Sequence, residues 1–284
     1  MPTTEITPIR TNGVRLNVAI TGTGPVVLLL HGFPHTWRLW HEVVGPLAAH
    51  HRVVAPDLRG AGGSTRAPDG YDAATLSADL LGLLDALGEP TAAVVAIDAS
   101  VPAAFLLALR HPDRVRRLVL MESLLGDLPG AEDFLAHGRP WWFGFHAVPG
   151  LAEAVLVGNE ARYVDWFLDA GTLGRGVPEP VRAAFVAAHT GAEALRCAFE
   201  PYRALPATSA HLAAAVAGNR LTTPTLAVGS HPVGPALARQ LAPVADDLTT
   251  CDLPDCGHLI PLDRPRELLA VLEPFLDGHR AAPR

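Results

Sequence analysis

The segment VVAIDAS at residues 94–100, an apolar run that ends in a carboxylate between small residues, is the place where this chain could form a covalent bond. In a G-x-S-x-G elbow the nucleophile sits on a sharp strand-to-helix turn, and small residues two positions away let strand and helix pass closely. Ala96 and Ser100 provide that smallness around Asp98. The turn needs a positive φ, which aspartate tolerates better than most non-glycine residues. The pattern predicts Asp98 as a nucleophile, with a helix N-cap as the alternative.

Two further segments could supply an oxyanion site and a base. The segment LLLHGFP, which ends at Pro34, indicates a buried strand running into a turn. Proline has no N–H, so we expect the Phe33 amide to be one oxyanion donor and the amide of Ala99, next to the nucleophile, to be the other. The segment DCGHLIP near the C-terminus contains His258, the candidate general base.

With these motifs in this order, the chain resembles the α/β-hydrolases with an aspartate nucleophile, namely the epoxide hydrolases and the haloalkane and haloacetate dehalogenases. The resemblance covers nearly the whole length, and it implies an α/β-hydrolase fold with a mostly parallel eight-stranded sheet and an inserted helical lid. The elbow departs from the usual Gly-His-Asp-Trp-Gly, because Ile97 replaces the histidine and Ala99 the tryptophan. The motifs that carry the resemblance are HGFP at 31–34, DLRGAGGS at 57–64, the Asp98 elbow, Tyr202-Arg203, and Gly257-His258 followed by Asp263 and Pro265.

The resemblance places the acidic partner of His258 after one of two strands. The usual position reads GSHP at residues 229–232 and contains no carboxylate. The other position ends in Leu120-Met121-Glu122, which resembles the dehalogenases that keep the acid there. We therefore predict Glu122 as the third triad member, with a loop or helix-capping carboxylate as the alternative.

An aspartate nucleophile implies attack on the sp³ carbon of an epoxide or of a carbon–halogen bond, followed by hydrolysis of the alkyl ester by water that His258 activates. Epoxide hydrolases that resemble this chain use two lid tyrosines, and Tyr202 matches one of them. The other falls in RPWWFGFH, where Trp142, and as a second candidate Trp141, would replace it. An indole N–H donates a hydrogen bond but does not give up its proton, so only Tyr202 could act as an acid. Core packing is the alternative for all three aromatic residues.

Three functional hypotheses follow. An uncharged, apolar or aromatic epoxide fits the aromatic lid segment better than a haloacid, because Ala99 stands where a halide-binding tryptophan or a carboxylate-binding arginine would be. A haloalkane or haloacetate dehalogenase is the second hypothesis, and a non-hydrolytic or ligand-binding homologue is the third. An ester hydrolase is disfavoured, since Ser100 lies two positions past the elbow.

Composition limits the other classes of function. A chain of 284 residues with 49% hydrophobic residues can bury a large core. The net charge of -7 and the lack of a basic run argue against nucleic acid and anionic membranes. All 22 basic residues are arginine, which excludes Schiff-base lysine chemistry. The three cysteines have no metal-like spacing, so we expect structural or incidental thiols. We expect no metal and no cofactor. We expect a cytoplasmic protein that acts on a small molecule. The sequence does not decide between a monomer and a homodimer.

Alternating strand and helix patterns predict the elements that position these residues. The alternation indicates a mostly parallel sheet covered by helices. Residues 124–219 contain helical segments and prolines but no strand runs, so they are predicted to form the lid between core segments 1–123 and 220–284. The predicted strands are 4–10, 14–20, 26–30, 52–56, 92–97, 115–121, 225–228 and 247–253, and the predicted core helices are 37–49, 73–87, 101–110 and 264–276.

Overall fold

The computed structural model describes residues 3–136 and 138–278, which contain one eight-stranded sheet. The strands follow the spatial order β1-β2-β4-β3-β5-β6-β7-β8. The pairs β1–β2 and β2–β4 are antiparallel and the other pairs are parallel, so the predicted mostly parallel sheet is confirmed. The strands are β1 Glu5–Thr11, β2 Val14–Thr21, β3 Val26–Leu30, β4 Arg52–Pro56, β5 Ala92–Ile97, β6 Val115–Met121, β7 Thr225–Gly229 and β8 Leu248–Asp252.

The two central strands that lead to the site are apolar at every position. β3 reads VVLLL and β5 reads AAVVAI, and every residue of both is buried. Such runs fit strands of a parallel sheet that is covered on both faces. The first three core helices are α1 His41–Leu47, α2 Ala73–Ala86 and α3 Val101–Arg110.

A helical insertion follows β6 and precedes β7. The insertion helices are α4 Glu132–Leu135, α5 Trp141–Ala147, α6 Leu151–Leu156, α7 Glu160–Gly171, α8 Glu179–Ala188, α9 Ala192–Arg203 and α10 Leu205–Val216. The remaining core helices are α11 Ala236–Leu241, α12 Ile260–Asp263 and α13 Pro265–Leu276.

Two apolar layers cover the sheet, and a smaller cluster joins it to the insertion. Side chains of α2, α3 and α11 pack on one face, and those of α1 and α13 pack on the other. The smaller cluster contains Phe33 of the core together with Leu156, Phe199 and Tyr202 of the insertion. The loop after β3 is therefore in direct contact with the insertion.

The helix predicted over 37–49 differs from the structure. Residues Trp37–Trp40 form a 3₁₀ turn, which Thr36 caps by accepting from the Arg38 N–H, and α1 begins only at His41. The last helix begins at Pro265, a residue type suited to the first helical position. No helix among residues 3–136 and 138–278 combines the length and apolar character needed to cross a bilayer.

Candidate active site

Asp98 lies on the turn between β5 and α3, with a left-handed φ of 58°. Ser100 closes this turn, because its hydroxyl lies 2.8 Å from the Ile97 carbonyl and accepts from the Ile97 N–H. Gly32 lies against the carboxylate, and a Cβ at that position would fall 2.2 Å from Asp98 Oδ1. The elbow therefore needs small residues both around the nucleophile and on the facing loop.

Two backbone amides bind the carboxylate of Asp98. The Phe33 N–H donates to Oδ1 at 2.8 Å, and the Ala99 N–H also donates to this carboxylate. Burial would raise the pKa of Asp98, but hydrogen bonds from His258 and from the two amides hold it below its usual value of 3.8. The group is therefore ionised at neutral pH, and its Oδ1 occupies an oxyanion-type site.

His258 bridges Asp98 and Glu122. Its Nε2 lies 3.1 Å from Asp98 Oδ2, and its Nδ1 lies 3.2 Å from Glu122 Oε2. Burial alone would lower the pKa of the imidazole, but the two carboxylates raise it to about 10. The loop that carries His258 is fixed by Asp263, which accepts from the Gly257 N–H at 2.7 Å. At neutral pH the ring is therefore an imidazolium between two carboxylates.

Glu122 follows β6 with a left-handed φ of 44° and is 1% exposed. The Ser230 N–H donates to its Oε1 at 2.7 Å, and the Val233 N–H donates to Oε2 at 3.3 Å. The loop after β7, which contains no carboxylate at residues 229–232, thus supplies amides that orient Glu122 toward His258.

A cavity of about 370 Å³ opens in front of Asp98. Tyr202 and Trp142 line it, whereas Trp141 is not among its lining residues and is 55% exposed. The structure therefore brings Trp142 to the site and leaves Trp141 outside it, because adjacent residues of α5 point about 100° apart around the helix axis. Burial, together with the Asp98 charge, raises the pKa of Tyr202 well above 10, so its phenol stays protonated.

Aromatic rings fix Tyr202 in its place. Its ring contacts Phe33 at 5.8 Å and Phe143 at 5.3 Å, and His146 lies edge to face with it at 4.4 Å between centroids. Burial, with a smaller effect of the Arg203 charge, lowers the pKa of His146 to about 3. Its Nε2 is 2.6 Å from the Tyr163 hydroxyl. The ring of Tyr202 therefore packs against a neutral, buried histidine.

The cavity wall also contains residues that sequence reasoning missed. His35 and Trp166 line it, in addition to apolar residues of the insertion. The position of His35 directly after Pro34 in the HGFP motif was a usable signal, because Phe33 in the same turn supplies an oxyanion donor. Trp166 lies on α7, whose orientation the sequence does not define.

Comparisons with known proteins agree with this architecture. A family model described as "alpha/beta hydrolase fold" matches residues 25–154. The chain is 39% identical over 153 residues to epoxide hydrolase 3 of Siraitia grosvenorii, and the matched segment covers 51% of this chain and 48% of that protein. It is 29% identical over 265 residues to a soluble epoxide hydrolase of a Corynebacterium species, covering 90% of this chain and 91% of that protein. The chain thus spans about half the length of the Siraitia relative and nearly all of the Corynebacterium one.

Solved structures match over almost the full length. Cfl2 from Burkholderia cenocepacia superimposes with a TM-score of 0.85 at 31% identity, covering 96% of this chain and 95% of that one. Epoxide hydrolase A from Mycobacterium thermoresistibile superimposes with a TM-score of 0.85 at 27% identity, covering 99% and 100%. The fold and the arrangement of the chain are therefore shared with these proteins.

Proposed function

The chain belongs to the α/β-hydrolase family and is a hydrolase of the epoxide hydrolase-like kind, and from this premise we propose that it opens an uncharged, apolar or aromatic epoxide to a diol. The observation that carries the proposal is the environment of Asp98. One carboxylate oxygen accepts from the Phe33 amide and the other lies 3.1 Å from His258 Nε2, which suits attack on carbon followed by hydrolysis of the resulting ester.

In the first step, Asp98 Oδ2 donates an electron pair to one epoxide carbon. The ring C–O bond breaks, its electrons go to the epoxide oxygen, and that oxygen takes the phenolic proton of Tyr202. Trp142 lines the same cavity and would donate a hydrogen bond to the oxygen without losing its proton. The products of this step are an alkyl ester on Asp98 and a Tyr202 phenolate.

The imidazolium of His258 balances the protons of this step. With a pKa of about 10, His258 carries two ring protons in the resting enzyme at neutral pH. It can return one proton to the Tyr202 phenolate, directly or through water. Esterification removes the Asp98 charge that raises the pKa of His258, so the ring becomes a neutral base when a base is needed.

In the second step, a water molecule gives a proton to His258 Nε2 while its oxygen bonds to the ester carbon. The carbonyl electron pair moves to Oδ1, where the amides of Phe33 and Ala99 stabilise the oxyanion. Collapse breaks the bond between the Asp98 carboxyl carbon Cγ and Oδ2, and the diol leaves with Oδ2 and with the proton of His258. The regenerated Asp98 carboxyl group then transfers its proton to His258, which restores the resting pair.

The cavity supports the proposed substrate class. A volume of about 370 Å³ suits a small organic molecule, and Phe33, Phe143, Trp142 and Leu205 are among its walls. Arg139, the arginine of the wall, is paired with Asp127. Position 99 after the nucleophile is alanine, so no cation stands there for a substrate carboxylate.

A carbon–halogen bond is the second candidate, because the indoles of Trp142 and Trp166 both line the cavity and are weak donors suited to a departing halide. Incubation with styrene oxide and, separately, with 1,2-dibromoethane separates the two candidates. Diol formation without bromide release supports the epoxide hydrolase, and bromide release alone supports the dehalogenase.

The mechanism itself is tested by trapping the ester. We expect His258→Gln to accumulate an adduct with styrene oxide that intact mass spectrometry detects as enzyme plus substrate. Asp98→Asn should form neither the adduct nor the diol. Full activity of Asp98→Asn would rule out the proposed reaction.

A further inference from the structure

His35 is a buried polar side chain that the mechanism above does not use. It is 2% exposed, and neither ring nitrogen has a hydrogen-bond partner among residues 3–136 and 138–278. An unbonded polar group in the interior costs free energy comparable to a lost hydrogen bond. A ligand of matching chemistry would therefore stabilise this position.

The backbone of His35 belongs to the loop that builds the oxyanion site. Its N–H donates to the Gly32 carbonyl at 3.0 Å, and the Phe33 amide that binds Asp98 lies two residues earlier in the chain. Its ring packs edge to face on Phe185, with 5.1 Å between the ring centroids. The side chain is thus fixed in place beside the nucleophile. It is also close enough to Asp98 and His258 for both to act on its charge state.

Burial is the main effect on this ring and lowers its pKa well below 6.5, and the nearby Asp98 carboxylate only partly opposes this. His258, His31 and His189 act in the same direction as burial. A neutral imidazole has one N–H donor and one nitrogen acceptor. His35 can therefore both donate to and accept from a small neutral molecule.

A side cavity reaches His35 from behind the oxyanion loop. Its volume is about 50 Å³, and a water molecule needs roughly 10 to 15 Å³ of accessible space. Its walls include the polar side chains of His31, Arg59 and His189. It shares with the main cavity the wall residues Phe33, His35, Tyr71, Leu76, Ala99 and Pro201.

Among these shared residues, only His35 and Tyr71 have polar side chains. The Tyr71 hydroxyl already donates to the Ala67 carbonyl at 2.7 Å. The imidazole of His31 is also engaged, since Nδ1 lies 2.9 Å from the Gly32 carbonyl and Nε2 accepts from the Leu58 N–H. His35 is therefore the side chain at this junction whose hydrogen-bonding groups are available.

We propose that His35 binds the water molecule that hydrolyses the Asp98 ester, at the junction of the main cavity and the side cavity. The inference rests on the proposed function, because it assigns a role within the second step. One water hydrogen goes to His258 Nε2, the other is accepted by a ring nitrogen of His35, and a lone pair of the oxygen attacks the ester carbon. The bonds made and broken are those of the second step, and His35 exchanges no proton.

The test separates formation of the alkyl-enzyme from its hydrolysis. Single turnovers with styrene oxide are quenched with acid, and the esterified fraction is followed by intact mass spectrometry. His35→Phe should slow hydrolysis roughly 2- to 13-fold, the effect of losing one neutral hydrogen bond, and leave the esterification rate unchanged. The ester should accumulate, so kcat and KM fall together while kcat/KM is retained.

Two further variants keep the outcome interpretable. His35→Gln retains a donor and an acceptor and should recover most of the hydrolysis rate. His51→Phe is the matched control, because His51 is also a buried histidine with an unbonded Nδ1, but it lies before β4, at the opposite end of the sheet from Asp98. It should leave both rates unchanged, and urea unfolding checks that all variants are folded.

Two results would overturn the assignment: unchanged hydrolysis in His35→Phe, or an equal loss of both rates, which indicates a structural role only. Failure of the proposed function looks different. If even His258→Gln forms no ester, the covalent mechanism is wrong. If His258→Gln accumulates the ester and His35→Phe hydrolyses it normally, only the role of His35 is wrong.

Discussion

Replacing Tyr202 and Trp142 by phenylalanine should affect ring opening very unequally. Both side chains line the cavity, but only the phenol can transfer a proton to the opened epoxide. The ring of Tyr202 is fixed by contacts with Phe143 at 5.3 Å and His146 at 4.4 Å, and Tyr202→Phe keeps these contacts. The change therefore removes the hydroxyl and little else.

The expected magnitudes follow from the two kinds of interaction. General acid catalysis contributes roughly 100- to 10,000-fold to a rate, so Tyr202→Phe should slow esterification by about that factor. A neutral hydrogen bond contributes about 0.5 to 1.5 kcal/mol, which is roughly 2- to 13-fold, so Trp142→Phe should have the smaller effect. Stopped-flow measurement of indole fluorescence with styrene oxide, calibrated by acid quench, gives both rates.

Trp141→Phe is the matched control for Trp142→Phe, because Trp141 is the adjacent residue of α5 and is 55% exposed. It should leave the esterification rate unchanged. An effect of Tyr202→Phe below about threefold, or one smaller than that of Trp142→Phe, would refute the assignment of Tyr202 as the acid.

Further predictions concern charge, pH and packing. Glu122→Gln removes one of the two carboxylates that raise the pKa of His258 to about 10, and an NMR titration should therefore show a lower His258 pKa. Ester hydrolysis should slow roughly 100- to 10,000-fold in the same variant. In the unaltered enzyme, kcat should decline as the pH rises through about 10, where His258 loses the proton that it returns to the Tyr202 phenolate. Burial lowers the pKa of His189 to about 4, so the unfolded state binds more protons below pH 6.5. The free energy of unfolding should then decrease by about 3 kcal/mol as the pH falls from above 6.5 to below 4, and urea titrations should show less of this decrease for His189→Gln. Gly32→Ala should abolish diol formation, because its Cβ would lie 2.2 Å from Asp98 Oδ1, while circular dichroism reports whether the fold survives.

The sheet could be predicted from the sequence because its strands are short, apolar and separated by clear turn signals. Strands β3, β4, β5 and β6 begin and end at the predicted residues. The ends of buried runs such as VVLLL can be predicted, because polar or small residues follow the run immediately. The resemblance supplied the order of the motifs. The structure places His258 within hydrogen-bond distance of both Asp98 and Glu122.

The insertion was less predictable, because the rotation of a helix about its axis depends on tertiary packing. Trp141 and Trp142 are adjacent and chemically identical, and only the packing of α5 decides that Trp142 reaches the cavity. His35 has no sequence pattern that shows its nitrogens to be unbonded. Such properties arise from what surrounds a side chain and not from its neighbours in the chain.

The most direct test of the covalent mechanism is the fate of oxygen in a single turnover. With enzyme in excess over styrene oxide in ¹⁸O-labelled water, the oxygen added to the substrate should come from Asp98, and the label should enter the Asp98 carboxyl group. Mass spectrometry of the peptide that contains Asp98 and of the diol reports both. Labelled diol and an unlabelled Asp98 peptide in the first turnover would contradict the account.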